Sequence, residues 1–265
     1  MKKNIQQMQH PESAAELFAG WKETPIWSCL QGVMGNVYGD HPEHPASAAA
    51  ILGDFCFFAG EPSKALVTYK PKESEQNFII MVPQNERWGQ MIQECWGEKA
   101  KRVTRYGVKK EKDNFNKEKL ENMAANLPAG YEIRPITQEL YEQCRKMEWS
   151  QDLVGQYKSF AEYERLGLGF AAVKDGELAA GASSYSSYRE GIEIQIDTKM
   201  EHRRKGLARV CGATLILECL KRGLYPSWDA QNPESIALAE QLGYHLDHPY
   251  TAYEIWGYSR LLCGI

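Results

Sequence analysis

The sequence predicts an α/β fold with a mixed central sheet flanked by helices, and a second, N-terminal α/β domain before it. Segments with the period of strands alternate with segments with the period of helices along the chain. The pair Asp175 and Gly176 joins two apolar runs, which favours a tight hairpin between antiparallel strands. The length of 265 residues fits one large or two small domains.

The N-terminal half contains both kinds of element but no chemical motif. The predicted helices cover residues 11–21, 85–97 and 111–128, and the predicted strands cover 26–39, 51–60, 65–70, 78–83 and 99–110. Residues 126–130 are of the types found in turns at a boundary. We therefore predict an N-terminal α/β domain at 1–128 and a second domain at 129–265.

The C-terminal half has a clearer pattern. Thr137 is positioned to cap one helix, and Asn232 followed by Pro233 is positioned to begin another. The predicted strands cover residues 131–136, the hairpin 169–187, 191–198, 224–230 and 250–258, and the predicted helices cover 137–149, 159–167, 207–223 and 232–244. The predicted order is β-α-α-β-β-β-α-β-α-β.

Composition excludes several classes of protein. The formal charge of −4 argues against a surface devoted to nucleic acid, because phosphate contacts require an excess of Lys and Arg. The first residues have no apolar segment typical of a secretory signal, and no stretch approaches the roughly 18 apolar residues of a membrane helix. We therefore expect a cytoplasmic protein without a membrane partner.

Cysteine and histidine patterns favour neither disulfides nor a metal. The seven cysteines are scattered and form no Cys-x-x-Cys pair, which suits reduced, buried thiols. Two His-x-x-His pairs, His41 with His44 and His245 with His248, lie beside prolines and lack the carboxylate of a metalloprotease motif. We expect no metal site.

A basic loop with one glycine joins a predicted strand to a predicted helix at residues 202–208. The first N–H groups of a helix lack partners within it, and the helix dipole adds partial positive charge there. Arg203, Arg204 and Lys205 add fixed positive charge, and Gly206 lets an anion approach the backbone. Alone, the loop is compatible with a phosphate site or with a solvated basic turn.

The spacing of Arg203, Gly206 and Ala208 resembles the acyl-CoA pyrophosphate motif Q/R-x-x-G-x-G/A of the GNAT superfamily of N-acetyltransferases. Downstream, Asn232 and the segment Gln-Leu-Gly-Tyr ending at Tyr244 resemble a second segment of that family. The resemblance covers residues 131–258. It implies a GNAT-like acyl-CoA-binding fold with acetyl-CoA or another acyl-CoA as co-substrate. The N-terminal half suits a degenerate copy of this fold.

The resemblance also implies which residues bind the acyl-CoA. In this family the strand equivalent to 191–198 separates from its neighbour and pairs with the pantetheine, which places Ile196 and Thr198 as backbone partners. Loop amides would hold the pyrophosphate, and Asn232 would contact the pantetheine in addition to capping a helix. The loop residues concerned are Arg203, Arg204, Lys205, Gly206, Leu207 and Ala208.

The catalytic residues are less constrained. Glu193 occupies a strand position where several family members carry a carboxylate base, but it is also an ordinary polar residue of an alternating strand, with Gln195 and Asp197 on its face. Many members carry a tyrosine acid seven residues after the asparagine, where this sequence has Ala239. Tyr244 or a water is the predicted substitute.

The acceptor is not specified by the sequence. Aromatic side chains expected near it are Tyr185, Tyr188, Trp149, Tyr157 and Trp228. We expect direct transfer of an acetyl group from acetyl-CoA to a primary amine of a small molecule or peptide. The alternative is a non-catalytic acyl-CoA-binding sensor or interaction module, which Ala239 favours. A homodimer is left open.

Overall fold

The structure is a computed structural model that describes residues 5–258. Within them the chain forms two compact units, one made of residues 5–105 and 249–258 and the other of Tyr106–His248. The predicted domain border at 128 and 129 does not coincide with these limits. A helix at residues 117–125 belongs to the second unit, where it packs on the helix that begins at Leu207.

Thirteen strands and eight α-helices are found among residues 5–258. The strands are β1 Gln6–Gln7, β2 Asn36–Gly39, β3 Ser47–Leu52, β4 Phe55–Gly60, β5 Phe78–Pro83, β6 Ala100–Val108, β7 Glu132–Pro135, β8 Gly169–Lys174, β9 Glu177–Tyr188, β10 Gly191–Thr198, β11 Tyr225–Ser227, β12 Asp229–Ala230 and β13 Leu246–Trp256. The helices are α1 Thr24–Leu30, α2 Lys64–Val67, α3 Glu86–Trp96, α4 Lys117–Ala125, α5 Gln138–Lys146, α6 Phe160–Leu166, α7 Leu207–Lys221 and α8 Pro233–Leu242.

The unit Tyr106–His248 is built on a five-stranded sheet in the order β11-β10-β9-β8-β7. Strands β7 to β10 pair antiparallel, whereas β10 and β11 pair parallel. Asp175 and Gly176 both adopt positive φ at the turn between β8 and β9, as the tight hairpin prediction requires. The predicted order of elements in this half is confirmed, except that the predicted strand at 224–230 is two strands, β11 and β12, which pair in different sheets.

Helix α7 is the centre of this unit's core. It packs on β8, β9 and β10 and also on α4, so it is covered on two sides. Its buried residues include Val210, Cys211, Ala213, Leu215 and Ile216, which occupy more than one face of the helix. An apolar surface this wide is typical of a helix enclosed by neighbours.

The other unit has a sheet in the order β1-β2-β3-β4-β5-β13-β6, where β2, β3 and β4 form an antiparallel meander and β4 pairs parallel with β5. Asn85 is the N-cap of helix α3, and its side chain accepts a hydrogen bond from the Trp88 N–H. The Trp88 ring stacks on Phe58 at 5.0 Å between centroids, within a core that includes Ile79 and Tyr253.

Three predicted elements of the N-terminal half are of the wrong type, and a fourth, the predicted strand at 51–60, contains the turn between β3 and β4. The predicted strand at 26–39 begins as helix α1, where Pro25 lies in the first turn and Ile26 and Cys29, three residues apart, are both buried. The predicted strand at 65–70 contains the single helical turn α2, in which Leu66 and Val67 are both buried. The predicted helix at 11–21 is a 3₁₀ turn at Pro11–Ala14 followed by further turns.

The cysteines agree with the expectation of buried thiols. Five of the six in residues 5–258 are buried, and Cys95 is half-buried. Cys263 lies outside the described residues. Within residues 5–258 no cluster of three or more His, Cys, Asp or Glu side chains is arranged to hold a metal ion, and no helix is long and apolar enough to cross a bilayer.

Candidate acyl-CoA site

Strands β10 and β11 separate after a short parallel contact. Their pairing covers three residue pairs and ends at Glu193 and Ser227, whereas β10 continues to Thr198. After Ser227 the chain forms β12, which pairs with Tyr106 and Gly107 of β6 instead. In the described part of the chain, therefore, the β11 side of β10 has no strand partner from Ile194 to Thr198.

The register with β9 shows which backbone groups face this open edge. The Lys199 N–H donates to the Ala179 carbonyl at 3.0 Å, which makes residues 199 and 179 a hydrogen-bonded pair. Hydrogen-bonded and non-hydrogen-bonded pairs alternate in an antiparallel ladder, and Asp197 therefore bonds to β9 in the same way. Ile196 and Thr198 occupy the alternate, non-hydrogen-bonded pairs with β9, and their N–H and C=O groups therefore point towards the open edge.

The open edge leads into the loop at 199–206. A 3₁₀ turn at Met200–His202 is followed by Arg204 with φ of 63° and by Gly206 with φ of 81°. Gly206 is the N-cap of α7, and no side chain caps this helix end. A Cβ added at Gly206 would meet only the Arg209 guanidinium, at 3.7 Å. The start of α7 therefore has no side-chain cap and has open space beside Gly206, the geometry in which a helix end binds an anion.

The three basic side chains of the loop differ in their contacts. Arg203 donates through Nε to the Thr198 carbonyl at 3.3 Å, and Lys205 donates to the Glu201 carbonyl at 3.1 Å. Arg203, Arg204 and Lys205 are exposed. Leu207 is buried and fixes the start of α7 in the core, while Ala208 is half-buried.

Tyr131 holds this loop from the start of the unit's sheet. Its hydroxyl lies 2.7 Å from Nδ1 of His202 and accepts a hydrogen bond from Lys205 Nζ at 3.2 Å. The ammonium groups of Lys205 and Lys174 lie 5.9 and 5.6 Å from the ring centroid, within range of cation–π attraction. Desolvation, then the charge of Lys205, lowers the pKa of His202. Sequence reasoning missed Tyr131, which precedes the loop by about seventy residues and belongs to no motif.

Glu193 lies where the two strands begin to separate. Its side chain is 7% exposed, and the register places it between Ser186 on β9 and Ser227 on β11. The Ser227 hydroxyl is 2.9 Å from the Tyr188 hydroxyl, which is also buried. The charge of Glu193 contributes, after burial, to raising the pKa of Tyr188. The Glu193 carboxylate and the hydroxyl groups of Ser227 and Tyr188 thus lie together where the pairing of β10 with β11 ends.

Asp197 lies on the same face of β10 as Glu193, further along the strand. Its carboxylate accepts a hydrogen bond from Gln195 Nε2 at 2.7 Å. The pKa of Asp197 is raised to about 6, chiefly by burial and also by the charge of Asp152, while the Gln195 hydrogen bond and the charge of Arg203 oppose the shift. This face of β10 is polar, whereas Ile192 and Ile194 on the other face pack in the core beneath α7.

Tyr244 lies in the hydrophobic core and not at the opening. Its hydroxyl donates to the Pro226 carbonyl at 2.7 Å, and its ring contacts Phe115 and Trp228. Burial raises the pKa of Tyr244 well above its usual range. The geometry does not support Tyr244 as a proton donor to a bound thiolate, because its proton is held by a backbone carbonyl.

The remaining predicted residues have structural roles in this fold. Asn232 caps α8, its side-chain oxygen accepting from the Ser235 N–H at 2.8 Å. The Trp228 ring is buried and donates to the Ser235 hydroxyl. Tyr157 is fully buried and bonds to the Ser184 hydroxyl at 2.6 Å. Trp149 is half-buried, and Tyr185 is the extra residue of a bulge in β9 opposite β10.

Comparison with known proteins agrees with this architecture. The model of the GNAT acetyltransferase family matches residues 15–253, so the chain belongs to that family. It is therefore a GNAT-type N-acetyltransferase by family, and acyl transfer is the reaction of that family.

Relatives of known sequence or structure share this family. An uncharacterized N-acetyltransferase of Bacillus subtilis, YdfB, is 23% identical over 240 residues, covering 87% of this chain and 89% of the relative. The crystal structure of a GCN5-related N-acetyltransferase-like protein from Streptococcus suis is 43% identical, with a TM-score of 0.87 and coverage of 94% of this chain and 98% of that one. A tandem GNAT protein from the clavulanic acid biosynthesis pathway shares the fold at 11% identity and a TM-score of 0.54, with coverage of 96% and 99%.

Replacing Tyr131 by Phe should weaken CoA binding about fivefold to tenfold, because the hydrogen bonds that hold His202 and Lys205 are lost while the ring remains, at about 1 kcal/mol for a net hydrogen bond. Calorimetric titration with CoA measures the effect. Tyr141→Phe is the matched control, since the Tyr141 hydroxyl also makes two hydrogen bonds, to Tyr157 and Arg145. Equal CoA affinity in both variants would contradict the assigned role of Tyr131.

Replacing Asp197 by Asn should raise the midpoint of thermal unfolding at pH 7.5 and much less at pH 4.5. The folded-state pKa of about 6 exceeds the ordinary value of 3.8, so the folded protein binds the proton more tightly than the unfolded chain. Ionised Asp197 therefore destabilises the fold above pH 6, and this cost disappears as pH falls towards 4. Asparagine can still accept the Gln195 hydrogen bond. Asp113→Asn, at an exposed position, is the control, and an equal shift at both pH values would contradict the prediction.

Proposed function

We propose that the donor is acetyl-CoA, that the acceptor is a primary amine of a small molecule or peptide, and that the acetyl group passes directly between them. One observation carries the proposal: the unpaired edge of β10 leads into an uncapped helix N-terminus beside an open glycine. An extended chain with amide groups at one end and a pyrophosphate at the other fits both parts, and CoA has this composition.

The pantetheine would add to β10 as a strand adds to an open sheet edge. Ile196 and Thr198 supply N–H and C=O groups on that side, and the edge from Ile194 to Thr198 is about 13 Å long at about 3.3 Å per residue. The Thr198 carbonyl already accepts from Arg203, and its second lone pair is available to an amide. Asn232 retains its side-chain N–H₂ for the pantetheine, since the helix cap uses only its oxygen.

The pyrophosphate would bind at the loop. The amides of residues 203–208 and the positive end of the α7 dipole attract it, and Arg203 and Arg204 add charge. Lys205 fixes the loop through Tyr131 and adds long-range attraction. These contacts require no metal.

Glu193 is the proposed base. It lies at the last pair of the β10 and β11 contact, so the open edge begins at its neighbour Ile194. An N–H of β10 at this point would stabilise the negative charge that develops on the thioester oxygen. Glu193 would take the proton that the acceptor amine loses. A thiol with a pKa near ~8.5 leaves as thiolate with little assistance, which is consistent with Ala239 in place of a tyrosine and with Tyr244 in the core.

The second candidate function is acyl-CoA binding without turnover. Ala239 favours it, because a side-chain acid is missing at the usual position. The Glu193 carboxylate at the end of the open edge disfavours it. Release of free CoA thiol from acetyl-CoA in the presence of a panel of amines supports transfer. Thermal stabilisation by acetyl-CoA without thiol release supports the second function, and no stabilisation by any CoA ester contradicts both.

We also propose that the N-terminal unit is a degenerate GNAT copy without a donor site. It repeats the meander, the parallel strand pair and a following helix with an asparagine N-cap. Three residues, Glu61 to Ser63, connect β4 to α2, and α2 is a single turn. A Cβ at Gly60 would lie 2.3 Å from the Ala46 carbonyl oxygen, so this position is closed where Gly206 is open.

Replacing Gly206 by Val should abolish measurable CoA binding. A branched side chain would fill the open space beside the loop amides, and it would disfavour the positive φ that residue 206 adopts. Gly223→Val is the matched control: Gly223 also has positive φ, and it lies in open space at the other end of α7. Both variants should lose about 1–2 kcal/mol of folding free energy. CoA titration and chemical unfolding of the two variants separate binding from stability, and unchanged CoA affinity in Gly206→Val would overturn the loop assignment.

Replacing Glu193 by Gln should lower kcat by about a hundredfold or more while CoA affinity changes less than about threefold, since general base catalysis contributes roughly 10²–10⁴-fold. Steady-state kinetics with an identified acceptor and calorimetric titration with CoA provide the two readouts. Parallel losses in turnover and CoA affinity would assign Glu193 a structural role.

A further inference from the structure

A groove between α4 and α7 lies beside the proposed phosphate loop. Its volume is about 410 Å³, within the roughly 300–1,000 Å³ of small-molecule sites. Its polar lining comprises Asn116, Glu118, Lys119, Asn122, Asn126 and Arg209. The groove and the loop share Arg209, whose guanidinium lies 3.7 Å from the position of a Cβ on Gly206. A ligand held at the loop can therefore extend into the groove.

The lining has a consistent arrangement. Lys119 and Asn122 lie three residues apart on one side of α4, and Asn126 is the C-cap of this helix, while Leu120 is buried in the core on another side. Asn116 is committed to the helix cap, because its side-chain oxygen accepts from the Lys119 N–H at 2.9 Å. The amides of Asn122 and Asn126 are exposed at the groove. Each offers both hydrogen-bond donors and an acceptor.

Arg209 is half-buried in the first turn of α7. Among residues 5–258 no carboxylate lies within ion-pair distance of its guanidinium, although Glu118 lines the same groove. Arginine matches phosphate oxygens with two parallel N–H groups, and asparagine pairs with the N6 and N7 edge of adenine. The Arg209 guanidinium and the side-chain amides of Asn122 and Asn126 together fit a purine nucleotide that carries a phosphate on its sugar.

We propose that this groove binds the adenosine 3′-phosphate of CoA, with Arg209 on the 3′-phosphate and Asn122 and Asn126 on the adenine. The proposal rests on the proposed use of CoA as the donor. It gives α4, which lies outside the two sequence motifs of the C-terminal half, a role in donor recognition. Lys119 adds positive charge at the groove. Glu118 lines the groove from the first turn of α4, where its carboxylate can accept a hydrogen bond from a ribose hydroxyl.

The test compares CoA with dephospho-CoA, which lacks only the 3′-phosphate, by calorimetric titration. The wild-type protein should bind CoA about tenfold or more tightly than dephospho-CoA, as expected for a charge-assisted hydrogen bond. Arg209→Ala should reduce this preference to less than about threefold, because CoA affinity falls much more than dephospho-CoA affinity. Arg222→Ala, at the other end of α7 and paired with Glu218, is the matched control and should keep the preference.

A second variant tests the adenine contact. Asn122→Leu, at an exposed position where leucine favours the helix, should weaken both CoA and adenosine 3′,5′-bisphosphate about fivefold or more. A wild-type protein that binds both forms of CoA equally would overturn the groove assignment while leaving CoA as donor. An undiminished preference in Arg209→Ala would do the same. Failure of the wild-type protein to bind either form would instead contradict the proposed function.

Discussion

The early separation of β10 from β11 is the constraint on which the rest of the site depends. Backbone N–H and C=O groups in a sheet interior normally pair with a neighbouring strand. Here Pro226 in the middle of β11 has no N–H to donate, and its carbonyl is engaged by the Tyr244 hydroxyl. Trp228 comes directly after β11, packed against Tyr244 and bonded to Ser235 at the start of α8. These contacts direct the chain after Ser227 away from β10, and the proposed donor edge is a consequence of this packing.

Strand β10 has one apolar face and one face that carries carboxylates. Alternate side chains of β10 point to opposite sides of the sheet, so Ile192, Ile194 and Ile196 pack with the core under α7. Glu193, Gln195 and Asp197 occupy the other face, where burial and a neighbouring carboxylate raise the pKa of Asp197. The edge of the strand lies between these faces. One eight-residue strand thereby offers backbone groups at its edge and carboxylates on one face.

Local signals in the sequence were sufficient for the elements around the proposed site. Asp175 and Gly176 require the turn that they form, and Asn232 with Pro233 begins α8 as its cap chemistry dictates. Long-range packing determined the features that local signals missed. Helix α2 is one turn long, too short for periodicity to identify, and its residues are apolar enough to suit a strand. The roles of Tyr131 and Tyr244 depend on partners distant along the chain, so the motif around Tyr244 indicated the family but not the burial of its hydroxyl.

The two units differ in the segment that connects the first strand of the parallel pair to the next helix, and this difference concerns anion binding. In the unit Tyr106–His248 the strand β10 leads into a loop with two left-handed residues and then a helix of fifteen residues whose first N–H groups have no side-chain cap. In the other unit β4 leads into a three-residue link and a helix of four residues, too short to develop a substantial dipole. Gly60 there also has positive φ, but the space that a ligand would need is filled by the Ala46 carbonyl. A glycine at this position is therefore insufficient for an anion site, which also needs a long helix behind it and open space in front of it.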